Sequence, residues 1–321
     1  MRCILESKRP YFNHRVVLLA GGVGGARMAR ALRSVLGPGL LTVIANVGDN
    51  VERYGVTIAA DPDTILYTLA GVVGPDGWGR ENDTFRIMDE LGTLGVDTTM
   101  RLGDKDFALC AYRTARLHEG VPLSVITTDL GRHFGIDDVT LLPASDDPVA
   151  TSVQIAGGAW LDFQTYFVDR RHRDAVTAVA YIGSVEARPA PGVLEAIAEA
   201  DLVIIAPSNP PLSIWPISAI EPISVAVAAH PNTAAVSPLF GGKPLKGPAD
   251  AVMAGLGLAP STEGVLDAYD GLIDALFVDI DDAADTVLGH DRGVTVHAVN
   301  TRLDPVGGPE VAATILTLMV S

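Results

Sequence analysis

Five apolar residues of strand type, Val16-Val17-Leu18-Leu19-Ala20, run straight into Gly21-Gly22-Val23-Gly24-Gly25, and a helical pattern follows from Ala29 to Leu36. A buried strand that turns at glycines into a helix is the opening unit of a parallel α/β sheet. It places the glycines at the strand's carboxyl end, where such sheets bind ligands. Glycines there let backbone N–H groups approach an anion, and the following helix points the positive end of its dipole at the same spot. The pattern points to a phosphate or diphosphate guest. It is not the dinucleotide fingerprint, because Arg27-Met28 stand where the third glycine belongs, and no Gly-Lys-Ser/Thr of a P-loop follows. A tight turn with close helix packing would use the same glycines.

Further strand-type runs alternate with helical ones. Leu40–Ala45, Leu123–Thr127, Asp201–Ala206, Ala234–Ser237, Ala275–Asp279 and Val294–Val299 read as strands, with Val139–Leu142 and Gln164–Val168 as a pair outside the main alternation. Helical spacing falls at 63–69, 87–91, 107–118, 192–199, 249–256, 265–269 and 309–319. Hydrophobic residues make up 48% of the chain but aromatic ones only 6%, so the apolar mass is Ala, Val, Leu and Ile, as a sheet buried on both faces requires. The expectation is an α/β, Rossmann-like, mostly parallel doubly wound sheet. One such domain over 16–321 would carry a smaller, less regular lobe over roughly 70–190, preceded by an extension at 1–15.

Charge and composition exclude several classes. A formal net charge of −16 repels nucleic-acid backbones, and Arg170-Arg171-His172-Arg173 is too short a run to reverse that. No apolar run reaches the ~18 residues of a membrane span. Residues 1–15 lack the apolar core of a secretory signal. Two cysteines, Cys3 and Cys110, make no disulfide framework or metal motif, so the expected compartment is the reducing cytoplasm.

The residues just beyond the strand ends are the candidates for chemistry. After the second strand come Asn46, Asp49 and Asn50, then Asp61-Pro62-Asp63-Thr64. Asp49, Asp61 and Asp63 suit a hard cation such as Mg²⁺, which takes one or two carboxylates together with substrate phosphates. Asp63 would equally cap the helix that begins near Thr64, and Asp49 would equally serve a turn. Arg101 and Lys105 flank Asp104, where they could reach a phosphoryl group. Pro207-Ser208-Asn209-Pro210 is a rigid turn offering two hydrogen-bonding side chains at a strand end. Tyr67, Trp78 and Phe85 could stack on a planar ring or fill the core. No Ser/His/Asp set is legible.

In order along the chain, the segments Gly21–Ala26, Asn46–Asp49, Asp61–Tyr67, Gly77-Trp78-Gly79, Leu102–Asp106, Leu142–Asp147, Pro207–Pro210, Ser213–Ile217 and Gly241–Asp250 resemble the 2-phospho-L-lactate transferase family of coenzyme F-420 biosynthesis. The resemblance covers residues 16 to about 300. It implies a homodimeric Rossmann-like transferase using Mg²⁺. A 2-phospholactyl or phosphoenolpyruvyl group would move from a guanosine-diphosphate-activated donor to the ribityl hydroxyl of 7,8-didemethyl-8-hydroxy-5-deazariboflavin (Fo), and GMP would leave.

The resemblance also implies roles. Asp49, Asp63 and Arg101 would be catalytic, and Asp49 and Asp61 would hold the metal. Gly21, Gly22, Gly24, Gly25, Asn46, Asp63, Arg101, Lys105, Ser208 and Asn209 would bind substrates. Asn50 stands where the family often has a second acid, which implies a metal site weaker by one charge, and Trp215 stands where it commonly has glycine, which implies an altered pocket. These departures motivate a second reading, a non-catalytic nucleotide-binding relative. An NAD-dependent oxidoreductase is disfavoured by the incomplete fingerprint.

Overall fold

The computed structural model describes residues 12–320, so most of the expected N-terminal extension, residues 1–11, lies outside the described residues. Phe12 forms a parallel bridge with Leu36. The central sheet has seven strands in the spatial order Thr295–Val299, Ala275–Asp279, Thr233–Val236, Leu202–Ile205, Val16–Ala20 (β1), Leu41–Ala45 (β2) and Val139–Pro143. Every neighbouring pair is parallel. From β1 the chain moves outward through β2 to Val139–Pro143, then returns to the opposite side of β1 with Leu202–Ile205. The strand order reverses between β1 and Leu202–Ile205, which opens a crevice above their carboxyl ends.

Side chains alternate across each strand, and both faces are buried. Val16, Leu18 and Ala20 enter one core with Leu32, Ile65 and Ile315, while Val17 and Leu19 enter the other with Ile217, Ile223 and Val265. The first face is covered by the helices Gly22–Arg33 (α1), Ala60–Ala70 (α2) and Gly307–Val320, and the second by Val193–Glu199, Glu221–Ala228 and Thr262–Ala268. Among the described residues no single helix is long and apolar enough to cross a membrane.

Two small units stand beyond the carboxyl edge. The hairpin Val51–Arg53/Val56–Ile58 shares a minor core of Val56, Ile58, Met88, Leu102 and Cys110 with the helices Arg86–Thr93 and Asp104–His118. An antiparallel sheet sets Ala150–Ile155 between Trp160–Asp162 and Val176–Ile182.

Several expectations are corrected. Leu123–Thr127 is not a strand but the start of the helix Leu123–His133. Leu123, Ile126 and Leu130 are buried at helical spacing while Val125 is exposed, so a short apolar run had hidden a period near 3.6. Gln164–Val168 is not a strand either. Thr165–Asp169 is a π-helical turn whose start is held by the Asp162 carboxylate, which accepts the Thr165 N–H at 2.9 Å. Val139–Pro143 is the edge strand of the main sheet, so the interval 70–190 is two lobes separated by core structure rather than one insertion. The glycine run is not a free loop: α1 begins at Gly22, not near Ala29.

Gly22 has φ +62°, in the left-handed region that a side chain disfavours. Gly24 faces the turn after Leu202–Ile205, and a Cβ there would collide with the Pro207 carbonyl oxygen. Gly24→Ala is therefore expected to cost about 1–3 kcal/mol by overpacking and to lower the Tm. An unchanged melting temperature would show that the Pro207 turn yields freely.

Candidate active site

β1 and Leu202–Ile205 deliver their next residues side by side. The Ser208 hydroxyl donates to the Gly21 carbonyl at 2.7 Å, which stitches the two turns together at the point where the strand order reverses. Asn209 accepts the Leu212 N–H at 3.3 Å through Oδ1, and its buried Nδ2 has no hydrogen-bond partner. Above them opens a cleft of ≈ 1130 Å³. Gly21, Gly22, Gly24, Asp49, Asp61, Asp63, Arg101, Ser208 and Asn209 all line it.

Asp61 sits at the start of α2, yet it caps a different helix. Its Oδ1 accepts the Gly22 N–H at 2.7 Å and its Oδ2 accepts the Asn46 amide at 2.9 Å. One N–H at the positive end of α1 is thus already matched to a carboxylate, as the helix dipole favours. Asn46 stands behind the cleft wall and also accepts the Gly48 N–H at 2.8 Å, which shapes the turn that presents Asp49. Gln164 donates to the Asp49 carbonyl at 2.9 Å, while the Asp49 Oδ1 has no hydrogen-bond partner. Burial and the neighbouring Asp61 charge push the Asp49 carboxyl well above the usual carboxylate range. Burial pushes Asp61 up to about 6, against the opposing pull of its bonds from Asn46 and Gly22.

The N-cap position of α2 is Ala59, and Asp63 lies inside the first turns of that helix. Its Oδ1 is ion-paired with Arg113, and its Oδ2 is buried without a partner. Burial pushes it up to about 6, opposed by the Arg113 charge. Arg113 lies on the helix Asp104–His118, is 1% exposed, and also donates to the Thr57 carbonyl at 3.1 Å. Asp63, Asp106 and Cys110 come close enough to share an ion, but Arg113 and the Tyr67 hydroxyl, 2.6 Å from Asp106, already engage that group. Asp49 and Asp61 are two buried carboxylates, and the open Asp49 Oδ1 is a hard oxygen donor that could serve a divalent cation.

The rim carries aromatic rings backed by cations. Lys246 lies 5.5 Å over the Trp78 ring, and Arg101 lies 4.9 Å over Phe85 while ion-paired with Asp89 at 2.6 Å. Trp78 and Phe85 are exposed in the cleft, whereas Tyr67 is buried. Phe163 and Phe167, stacked at 5.2 Å, form part of another wall.

Three expected site residues lie off the cleft surface. Gly25 packs on Ala20 within α1, and Asn46 acts through Asp61. Lys105 is turned away: its ammonium donates to the Asn82 carbonyl at 3.0 Å in an exposed position. Trp215 does not reshape the cleft either, since its indole N–H donates to the Ala268 carbonyl at 3.0 Å outside the lining. Sequence reasoning missed Arg113. Its only signal is a charge at a position spaced three and four residues from buried Cys110 and Leu109 on one helix face.

The raised carboxyls set the sign of a pH effect. A folded-state pKa above the unfolded value near 3.8 means that ionisation opposes folding, so the associated stability falls as pH rises from the unfolded pKa through the folded one. Asp49→Asn is expected to melt above the wild type, with a gap that widens as pH rises above 4. Thermal unfolding across that range checks it, and a gap that narrows with pH would contradict the burial argument.

Comparison with known proteins identifies the family and agrees with the fold. The family model described as 2-phospho-L-lactate transferase CofD matches residues 16–313. A phosphoenolpyruvate transferase of Streptomyces coelicolor is 39% identical over 292 residues, covering 89% of this chain and 91% of the relative. One of Kitasatospora aureofaciens is 40% identical over 313 residues, covering 95% and 97%. A 2-phospho-L-lactate transferase of Methanopyrus kandleri is 39% identical over 259 residues, covering 80% and 82%. A solved UPF0052-family protein of Bacillus halodurans shares the fold, with a TM-score of 0.60 at 14% identity over 95% of this chain and 99% of that one. With a family model spanning nearly the whole chain and relatives at this level of identity, the protein belongs to the 2-phospho-L-lactate transferase CofD family.

Proposed function

We propose that the protein transfers a phosphoenolpyruvyl or 2-phospholactyl group from a guanosine-diphosphate-activated donor to the terminal ribityl hydroxyl of Fo, releasing GMP, in coenzyme F-420 biosynthesis. The observation that carries this reading is the convergence of Asp49, Asp61 and Asp63 with the amino end of α1 in one cleft at the strand-order reversal. The relatives, phosphoenolpyruvate and 2-phospho-L-lactate transferases, support the transferred group.

In this reading the Val23 and Gly24 N–H groups and the free Asn209 amide hold donor phosphate and nucleoside, and Trp78 and Phe85 offer ring faces to the planar acceptor. Asp49 and Asp61 hold Mg²⁺, and the unpartnered Asp49 oxygen and the mutual repulsion of the pair fit such an ion. When bound, the ion neutralises charge on the phosphoryl oxygens. Asp63 accepts a hydrogen bond from the acceptor hydroxyl through its open oxygen. The hydroxyl oxygen forms a bond to the phosphorus that carries the three-carbon acid. The anhydride bond to GMP breaks, GMP leaves with the bridging oxygen, and the hydroxyl proton passes towards Asp63. Such a transfer depends on positioning and charge neutralisation and needs no covalent nucleophile. The protein is expected to act as a homodimer in the cytoplasm.

Purified protein given Fo, donor and Mg²⁺ is expected to release GMP in step with product, and EDTA is expected to stop it. Asp49→Ala should lose turnover by ~10²-fold or more while remaining folded, as removal of a charge-stabilising group does. Tight Fo binding with no GMP release would favour the non-catalytic reading. Turnover like the wild type's in Asp49→Ala would remove that residue from the mechanism.

A further inference from the structure

The buried guanidinium of Arg113 is the group that the proposed mechanism does not use. An arginine meeting a carboxylate commonly covers both oxygens with its fork. Here the fork is divided. One nitrogen pairs with the Asp63 Oδ1, and the other turns to the Thr57 carbonyl at 3.1 Å and the Cys110 sulfur at 3.8 Å. The Asp63 Oδ2 is left buried and unpartnered on a residue that lines the cleft. A buried ion pair is seldom more stabilising than apolar residues of the same size, and a buried carboxylate oxygen without a partner costs further stability. Stability therefore does not account for this arrangement. A carboxylate held rigidly by one oxygen, with the other kept free for a ligand, does account for it.

We infer that Arg113 is a positioning residue that fixes Asp63 so that its open oxygen receives the hydrogen bond of the acceptor's primary hydroxyl. The inference rests on the transferase reading. Arg113 touches no substrate itself. It reaches the reaction only through Asp63, and it ties the lobe that carries the Asp104–His118 helix to the amino end of α2 on the main domain. Thr57 belongs to the hairpin of that lobe, so the fork spans three elements at once.

The test is a double-mutant cycle of Asp63→Asn, Arg113→Met and the double variant, with kcat and both KM values read from GMP release. Each single variant is expected to lose kcat by about 100-fold, the scale of a misplaced proton acceptor, with donor KM unchanged. The double variant should lose no more than Asp63→Asn alone. Arg113→Lys, which keeps the charge without the fork, should recover only part of the loss. Millimolar guanidinium ion should restore Arg113→Ala and leave Asp63→Asn unaffected.

Should Arg113→Met fail to fold, the double variant removes both buried charges together, and its comparison with Asp63→Asn still decides the matter. A further loss of kcat in the folded double variant, or wild-type kcat in folded Arg113→Met, would overturn the inference while leaving the transferase intact. No GMP from the wild type would remove the transferase reading and this inference with it.

Discussion

The carboxylate of Asp61 ties the amino end of α1 to the amino end of α2 across the carboxyl edge of the sheet. Much of the site's geometry depends on this contact. Both helices begin within a few residues of a strand or hairpin, and both direct the positive ends of their dipoles at the same crevice. Like dipole ends brought together repel, and a negative charge between them relieves the strain. Asp61 supplies that charge from within the chain. Asn46 then bridges Asp61 to the Gly48 turn, so the position of Asp49 is linked to the same interaction. The Asp49–Asp61 pair, the glycine turn and the strand ends are one hydrogen-bonded unit rather than separate features.

The chain's overall charge and the local charge of the cleft differ. The net charge is −16, yet Arg27, Arg80, Arg101, Arg171 and Lys246 all line the opening. Arg80 lies against the rings of Tyr67 and Phe134, at 5.8 and 5.1 Å from their centroids. A cationic rim around an acidic floor suits a ligand that is anionic at several points and is met by a cation at one of them. Such a mouth attracts anionic ligands, whereas an all-acidic opening would repel them.

The sequence showed the architecture more clearly than the site. β1, β2, Leu202–Ile205 and Ala275–Asp279 were legible because a strand buried on both faces reads as a nearly unbroken apolar run. The same rule misled at Leu123–Thr127, where a helix whose buried side falls on Leu123 and Ile126 looks like a strand over so short a window. The glycine turn, Asp49 and Asp61 were legible from their places just after strands. Arg113 was not, because a helix interior has no punctuation, and its meaning comes only from Asp63, fifty residues earlier in the chain. Lys105 illustrates the converse error. Proximity in sequence to Arg101 suggested a shared target, but the two side chains leave in different directions once residue 104 starts a helix.

The distribution of unpartnered atoms separates scaffold from site. Buried polar groups are nearly always hydrogen-bonded, so exceptions call for an explanation. Around the cleft the backbone turns are well paired: the Gly21 carbonyl, the Gly22 N–H, the Gly48 N–H and the Asp49 carbonyl all have partners. The unpartnered buried side-chain atoms of cleft-lining residues are Asp49 Oδ1, Asp63 Oδ2, Asn209 Nδ2 and Arg80 Nε, two acceptors and two donors. Four such atoms gathered in one cleft are the partners that a polar ligand would find there.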